Sequence, residues 1–359
     1  MKVCILGNGL TSLTLAKALV NQNIHVDIFA QNKVQKLSKL RTIGISKSNI
    51  KFFNQKIINI EKILWKLKKI EIFTDNLKDE KLINFEDDSE QLFSILRNYE
   101  LHQILSNNLA KSKFFNQKLI NNKQSVLIDN YELIVNCEYG HPFTKKYFSK
   151  KIEKTYNSFA YTTIIKHKKI LNNVATQIFT KIGPLAFLPI SNVETSIVYS
   201  VHSSNKKNKE NIKELIQGYN SKYKIKHMGN IESFELKSFS LRSYYHDNIL
   251  AFGDLLHRIH PLAGQGFNMI IRDIRMLTNI IKDKIDLGLP LDSLVNEEFE
   301  KNTKHKNFIF SNGINLIHSF FNIERKTKNN ILSKSVQFLG KNKLVNKALT
   351  KYADSGTII

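Results

Sequence analysis

The sequence predicts an α/β fold: a doubly wound parallel sheet interleaved with a mostly antiparallel β-rich part and followed by a C-terminal helical tail. Three observations predict it. An unbroken apolar run, VCIL at 3–6, leads through a glycine turn into an amphipathic helix. A second apolar strand at 249–253 leads through a proline and several glycines into another helix at 265–282. Between the two, residues 147–239 hold short apolar runs separated by polar turns, and helical periodicity takes over after Pro290.

Each element has its own signal. VCIL is apolar at every position, as a parallel strand covered on both faces must be. The helix after it carries Leu15, Ala16 and Leu19 on its apolar side, and a strand at 26–29 follows the turn-like NQN at 21–23. Stretches such as IEIF at 70–73 alternate with polar turns over 57–85, which predicts antiparallel strands. Leu92, Ile95, Leu96, Leu101, Ile104, Leu105 and Leu109 recur at helical spacing and predict a helix over 90–110. Residues 126–135 read as a hairpin returning to the first sheet. Further strands are expected at 159–165, 177–180, 195–201 and 233–239, with one helix at 209–219. In the tail, Ile314, Ile317, Phe320 and Phe321 share one face, and Leu344, Val345, Ala348 and Leu349 another. The expected division is an α/β domain at 1–60, 90–146 and 240–290, a β-rich domain at 61–89 and 147–239, and helices over 291–359.

Composition narrows the class. With 359 residues, 42% hydrophobic and 10% aromatic, the chain has the makings of sizeable cores. No apolar run approaches the roughly 18 residues of a membrane span. A strand and a glycine turn follow Met1 and Lys2 directly, so no secretory leader is expected and the expected location is cytoplasmic. Cys4 and Cys137 both sit in apolar strand-like segments and read as core thiols. The net charge of +23 is spread along the chain without a basic arm or RNA-binding signature. It predicts a solvated surface, no nucleic-acid partner, and peripheral contact with anionic membrane as the next alternative.

Two motifs carry chemistry. Gly7-Asn8-Gly9-Leu10-Thr11-Ser12 is a G-x-G-x-x-G variant with serine last. Gly7 permits a tight turn, Gly9 lets a pyrophosphate approach the backbone, and Leu10 opens a helix whose free N–H groups and dipole favour anions. Ser12 takes the position of close helix–strand packing. The strand–turn–helix context is the one the motif requires. The acidic residue expected to bind an adenosine ribose, about 20 residues on, is absent, and Gln31 stands in its place.

The second motif is NILAFGDLLHRIHPLAGQGFNMIIRD at 248–273. Gly253 and Asp254 end the strand, where a carboxylate accepts hydrogen bonds from sugar hydroxyls. Pro261, Ala263, Gly264, Gln265 and Gly266 then open a helix that offers backbone N–H groups to negative charge, and Asn268 follows in its first turn. Asp254, His257 and His260 also spell D-x-x-H-x-x-H. That spacing splays ligands around a helix and brings no fourth one, so no metal site is expected.

This second segment resembles the GD motif of FAD-dependent aromatic hydroxylases, most closely those acting on polyprenylated phenols in ubiquinone biosynthesis. RTIGIS at 41–46 resembles the family's arginine-containing segment near the flavin, which makes Arg41 a cofactor candidate. GPLAFLP at 183–189 resembles the strand facing the substrate cavity, and YADSG at 352–356 the family's C-terminal end. The resemblance implies a Rossmann-like FAD domain and a β-rich substrate domain. It implies reduction of FAD by NADPH or NADH, a flavin hydroperoxide formed with O2, and hydroxylation of a phenol ring beside other ubiquinone-biosynthesis proteins. No side-chain nucleophile is implied. The middle motif departs from the family: Glu138 stands in for an aspartate, Tyr139 for its glycine, and His102 where an arginine is common. The alternatives left open are a flavin reductase or dehydrogenase on the same fold and a non-catalytic member of a membrane-associated assembly.

Overall fold

The computed structural model describes residues 1–30, 37–77, 80–86, 91–119, 130–203, 209–261, 264–327 and 330–356. Gln31, Ala263 and residues 126–129 of the 126–135 segment lie outside these ranges.

A strand, Lys2–Leu6 (β1), sits in the middle of a six-stranded sheet. It pairs in parallel with His25–Ala30 (β2) on one side and Leu133–Asn136 on the other. Between β1 and β2 lies the helix Leu10–Val20 (α1), which buries Leu13, Leu15, Ala16 and Leu19 against the sheet. Val3, Cys4, Ile5 and Leu6 are fully buried, so the apolar run has no solvent face. Each such side chain contributes about 1.5–3 kcal/mol by leaving water. Phe115–Leu119 adds a parallel edge beyond β2, and Ile249–Ala251 extends the sheet past Leu133–Asn136. The 133–136 segment is a parallel strand of this sheet, and the first residues of the hairpin expected over 126–135 lie outside the described residues.

The second sheet has nine strands and is antiparallel apart from the pairing of Val174–Thr180 with Lys69–Thr74. Its long member, Lys151–His167, pairs with Glu194–His202 and Glu232–Leu241. The register slips between Thr155 and Ser158, where Asn157 takes a φ of 47°. Such a bulge bends a long strand without ending it. One face of this sheet buries Leu185, Phe187, Ile197 and Tyr199 under the helix Lys209–Gly218. The other meets the long helix Ser293–Thr327, with Phe179 and Phe321 stacked at 3.5 Å. Ile331–Lys341 and Lys343–Ser355 complete the helical part.

A small sheet bridges the two. Thr42–Ser46 (β3) pairs with Phe93–Arg97, which also pairs with Trp65–Leu67. Residues 93–97, expected to be helical, are thus a strand, and the helix begins only at Asn98. Phe93, Ser94, Ile95 and Leu96 are all buried, so pairing on both edges outweighs the helical spacing of Leu92, Ile95 and Leu96.

One charge is buried within the first sheet. Asp27 on β2 is 1% exposed and accepts hydrogen bonds from Lys118 Nζ (2.7 Å), Tyr131 Oη (2.7 Å) and Asn116 Nδ2 (3.2 Å), with Lys2 Nζ at 3.2 Å. Burial pushes its carboxyl up, but the hydrogen bonds from Lys118, Tyr131, Lys2 and Asn116 outweigh it and hold the pKa at about 2. A depressed carboxyl stabilises the fold above its ordinary value of 3.8, and that contribution is lost as pH falls towards about 2. Both lysines are nearly half exposed, so solvent screening keeps the effect modest. Asp27→Asn is expected to lower stability at neutral pH and to differ progressively less from the parent on acidification. Denaturant melts showing a constant difference would contradict this.

Candidate functional site

The two glycine motifs meet at the carboxyl ends of the parallel strands. Gly7 donates its N–H to Phe29 O at 2.7 Å, which seats the first turn against β2. Gly9 is the N-cap of α1; the cap has no side-chain hydrogen bond and the first turn no acidic residue. A Cβ built on Gly9 meets nothing within 4 Å. Free N–H groups therefore face open space at a helix N-terminus. Leu10 opens the helix, and Ser12 is 1% exposed beneath the turn.

Gly253 and Asp254 lie alongside. Ile249–Ala251 ends earlier than the expected strand, and Gly253–Leu255 is a single tight helical turn. Gly253 has a φ of 66°, and a Cβ there would stand 2.5 Å from Thr11 Cγ2. Only glycine fits this approach to α1 without strain. Asp254 is exposed beside it. Cys137 lies at the strand ends, its backbone N–H donating to Leu6 O at 3.0 Å. Burial pushes its thiol up to about 12, opposed by the Ser12 hydroxyl and reinforced by the charges of Glu138 and Asp254.

The middle motif contributes Glu138. Its Oε2 lies 3.1 Å from where a Gly7 Cβ would stand, so a carboxylate faces the first glycine turn. His102 Nε2 donates to Asn8 O at 3.2 Å, while Ser106 Oγ donates to its Nδ1 at 3.4 Å. Burial lowers the His102 pKa, with the Asn8 hydrogen bond opposing. His102 thus holds the turn but brings less positive charge than an arginine. Tyr139 is half exposed and accepts a hydrogen bond from Lys151 Nζ at 3.0 Å.

The helix Gln265–Asp286 opens from Gly264, whose φ is 63° and whose Cβ position is 3.3 Å from Gly44 Cα on β3. This N-cap also lacks a side-chain hydrogen bond, and its first turn has no acidic residue. Gln265 is 3% exposed, and its Oε1 has no hydrogen-bond partner among the described residues. A Cβ on Gly266 meets nothing within 4 Å. Pro261 is half-buried just before.

Two of the sequence candidates have other surroundings. Asn268 is fully buried with both side-chain atoms committed to protein. Its Nδ2 donates to Gly44 O (3.0 Å) and Gly264 O (3.1 Å), and its Oδ1 accepts from Ser46 N and Asn49 Nδ2, each at 2.9 Å. It staples β3 to the helix and leaves no polar atom for a cofactor. Arg41 is exposed at the start of β3, its guanidinium 5.3 Å from the Phe234 ring centroid on the nine-stranded sheet.

Several groups that shape the site are not legible as motifs. His257 Nε2 lies 2.5 Å from Asp273 Oδ2, both side chains 2% exposed, and Asn307 Nδ2 donates to Asp273 Oδ1 at 3.0 Å. This network fixes the segment after Asp254 to two helices. The helix Lys47–Lys56 (α2) follows β3, and its first turn is capped from far away: Ser48 N donates to Asp354 Oδ1 at 2.9 Å, and the Ser46 and Ser48 hydroxyls donate to Asp354 O. The YADSG segment thus has a definite seat beside β3. Trp65 donates to Asn172 O at 2.6 Å and packs with Phe93 and Leu188, a core position.

The uncapped N-termini of two helices, open space above Gly9 and Gly266, and the unmet Gln265 oxygen fit an elongated anionic cofactor such as FAD. The Glu138 carboxylate, which faces the Gly7 turn, is of unfavourable sign for such a cofactor.

Comparison with known proteins agrees with this reading. A model of an FAD binding domain matches residues 145–285. The chain is 25% identical over 191 residues to the ubiquinone biosynthesis monooxygenase COQ6 of Danio rerio, covering 42% of this chain and 40% of that one. It is 28% identical over 152 residues to the 3-demethoxyubiquinol 3-hydroxylase of Escherichia coli, covering 40% and 39%. The matches thus span about two fifths of the length of these two relatives. A longer match, 22% identical, covers 96% of this chain and 88% of COQ6 from Dictyostelium discoideum. Among solved structures, p-nitrophenol 4-monooxygenase PnpA of Pseudomonas putida superposes with a TM-score of 0.81 at 11% identity, covering 97% and 96%. Klebsiella pneumoniae HpxO, complexed with FAD and uric acid, gives 0.73 at 11%, covering 99% and 97%. The sequence matches bear out the resemblance to FAD-dependent hydroxylases of the ubiquinone-biosynthesis type and FAD as the expected cofactor. The structural neighbours bear out the fold class.

Proposed function

We propose that this protein binds FAD and hydroxylates the aromatic ring of a polyprenylated phenol in ubiquinone biosynthesis, with O2 and NADPH or NADH as co-substrates. The observation that carries the reading is a pair of uncapped helix N-termini, one at Gly9 directly after β1 and one at Gly264 against β3. In this reading residues 1–60, 90–146 and 240–290 hold the cofactor, and 61–89 with 147–239 receive the ring.

The turn at Gly7, Gly9 and Leu10 would hold the diphosphate on backbone N–H groups, and Asp254 would accept from the ribityl hydroxyls. The amides at Gly264 and Gly266 would stabilise negative charge on the pyrimidine edge, and Gln265 Oε1 would accept from its ring N–H. When bound, the flavin supplies electron transfer from the nicotinamide and the activation of O2. The chain's own task is to position the ring and exclude water. The apolar cluster of Leu67, Phe93, Ile164 and Leu188 lies between the small sheet and the nine-stranded sheet and suits that task.

The protein is expected to purify yellow with about one FAD per chain. It should consume O2 with NADPH or NADH when a prenylated phenol is added, and yield a product with one more oxygen atom. Retained FAD without hydroxylated product from any such phenol overturns the hydroxylase reading and leaves a reductase. One observation favours a second reading, a non-catalytic member of the same fold: the Glu138 carboxylate faces the turn where a diphosphate would lie. A colourless protein that gains no absorbance when FAD is added would support it.

A further inference from the structure

More than half of the large apolar side chains exposed among the described residues lie on the three helices after Ser293. Their sharpest concentration is a corner between Ile331–Lys341 and Lys343–Ser355. Phe338 is 77% exposed, Leu339 51% and Leu344 78%. Scattered exposed leucines are normal, but three large side chains exposed within one helix–helix corner are more than scattering.

The corner is built rigidly. Asn342 ends one helix and caps the next, its Oδ1 accepting from Leu344 N at 2.9 Å and Val345 N at 3.3 Å. The inner faces of both helices are tied to the edge strand Lys81–Glu86. Gln337 Nε2 donates to Lys81 O at 3.0 Å, and Asn346 Nδ2 donates to Asn84 O at 2.8 Å. With that face engaged, Phe338, Leu339 and Leu344 point away from the protein.

The charges around the corner are of one sign. Lys334, Lys341, Lys343, Lys347 and Lys351 are all exposed, and residues 331–353 contain no aspartate or glutamate. No helix among the described residues is long and apolar enough to cross a membrane. Apolar side chains ringed by lysines are the makings of a surface that sits at the headgroup boundary, with rings in the acyl region and ammonium groups on phosphates.

We propose that the Phe338–Leu344 corner docks this protein on an anionic lipid bilayer. The proposal stands on the surface and not on the hydroxylase reading, so either can fail alone. A surface lysine near anionic lipid is worth about 1 kcal/mol, about fivefold in partitioning.

Flotation of the full chain tests it, with vesicles of phosphatidylcholine alone and of phosphatidylcholine and phosphatidylglycerol in equal parts. Binding is expected only to the anionic vesicles and to weaken with salt. The double variant Phe338→Ser, Leu344→Ser is expected to lose binding about tenfold or more. Its melting temperature and FAD content should stay unchanged, since both side chains are exposed. Lys341→Glu with Lys343→Glu should weaken binding as well. Wild-type protein that stays unbound to anionic vesicles overturns the proposal. So does a serine variant that floats as well as the parent. A parent that is dimeric in solution and made monomeric by the serine changes would instead assign the corner to a second copy of the chain.

Discussion

Replacing Asp273 by alanine is expected to lower the unfolding free energy by about 3–5 kcal/mol, the usual result of removing one partner from a buried polar pair. Asp273 accepts from His257 Nε2 at 2.5 Å and from Asn307 Nδ2 at 3.0 Å, and all three side chains are buried. Alanine leaves two buried polar groups without a partner and a cavity between the helices Gln265–Asp286 and Ser293–Thr327. Asn307→Ala removes one hydrogen bond and is expected to cost only about 1–2 kcal/mol. The network also holds the chain three residues after Asp254, so Asp273→Ala should weaken FAD binding beyond its effect on stability. Urea melts of apo protein, read beside FAD titrations, separate the two. A change in stability below about 0.5 kcal/mol, the range of neutral surface substitutions, would show that the pair is dispensable.

The second large effect is on ligand binding alone. Gly9→Ala places a methyl where nothing lies within 4 Å in the ligand-free protein, and the φ of −71° at this N-cap suits alanine. Stability is expected to change by less than about 1 kcal/mol, the entropic gain of alanine offsetting glycine's preference at an N-cap. FAD affinity is expected to fall, because the methyl enters the space through which a diphosphate would reach the α1 amides. An overpacked contact costs about 1–3 kcal/mol, about 5–150-fold in affinity. Gly253→Ala is the contrasting control. Its φ of 66° and the 2.5 Å approach to Thr11 Cγ2 mean that alanine strains the protein itself, so stability and affinity should fall together. Equal FAD affinity in Gly9→Ala and the parent, by fluorescence quenching, would remove the diphosphate from this turn.

The parts of the fold that were legible in the sequence are those whose signal is local. VCIL at 3–6 has no polar face, and a turn at Gly7 followed by a helix could be read directly. The helix opening at Gly264 was legible for the same reason. Residues 93–97 were not, because Leu92, Ile95 and Leu96 satisfy helical spacing equally well. Their strand is decided by β3 and Trp65–Leu67, partners distant in sequence. Asn268 shows the opposite limit. Its place in a flavin motif suggests a cofactor contact, whereas its amide is used up in joining β3 to the helix. Nothing around Asp273 marks it as the partner of His257, since only the packed helices bring them together.

The Asp354 cap on α2 has a consequence for how the chain is made. The carboxylate that accepts from Ser48 N belongs to a residue 306 positions further along. During synthesis the first turn of α2 must therefore wait, its amides hydrated, until nearly all of the described chain has emerged. A contact this distant in sequence closes late and slowly. The start of α2 beside β3 is thus finished near the end of translation, and a ribosome stalled before Asp354 would carry a nascent chain with that turn uncapped.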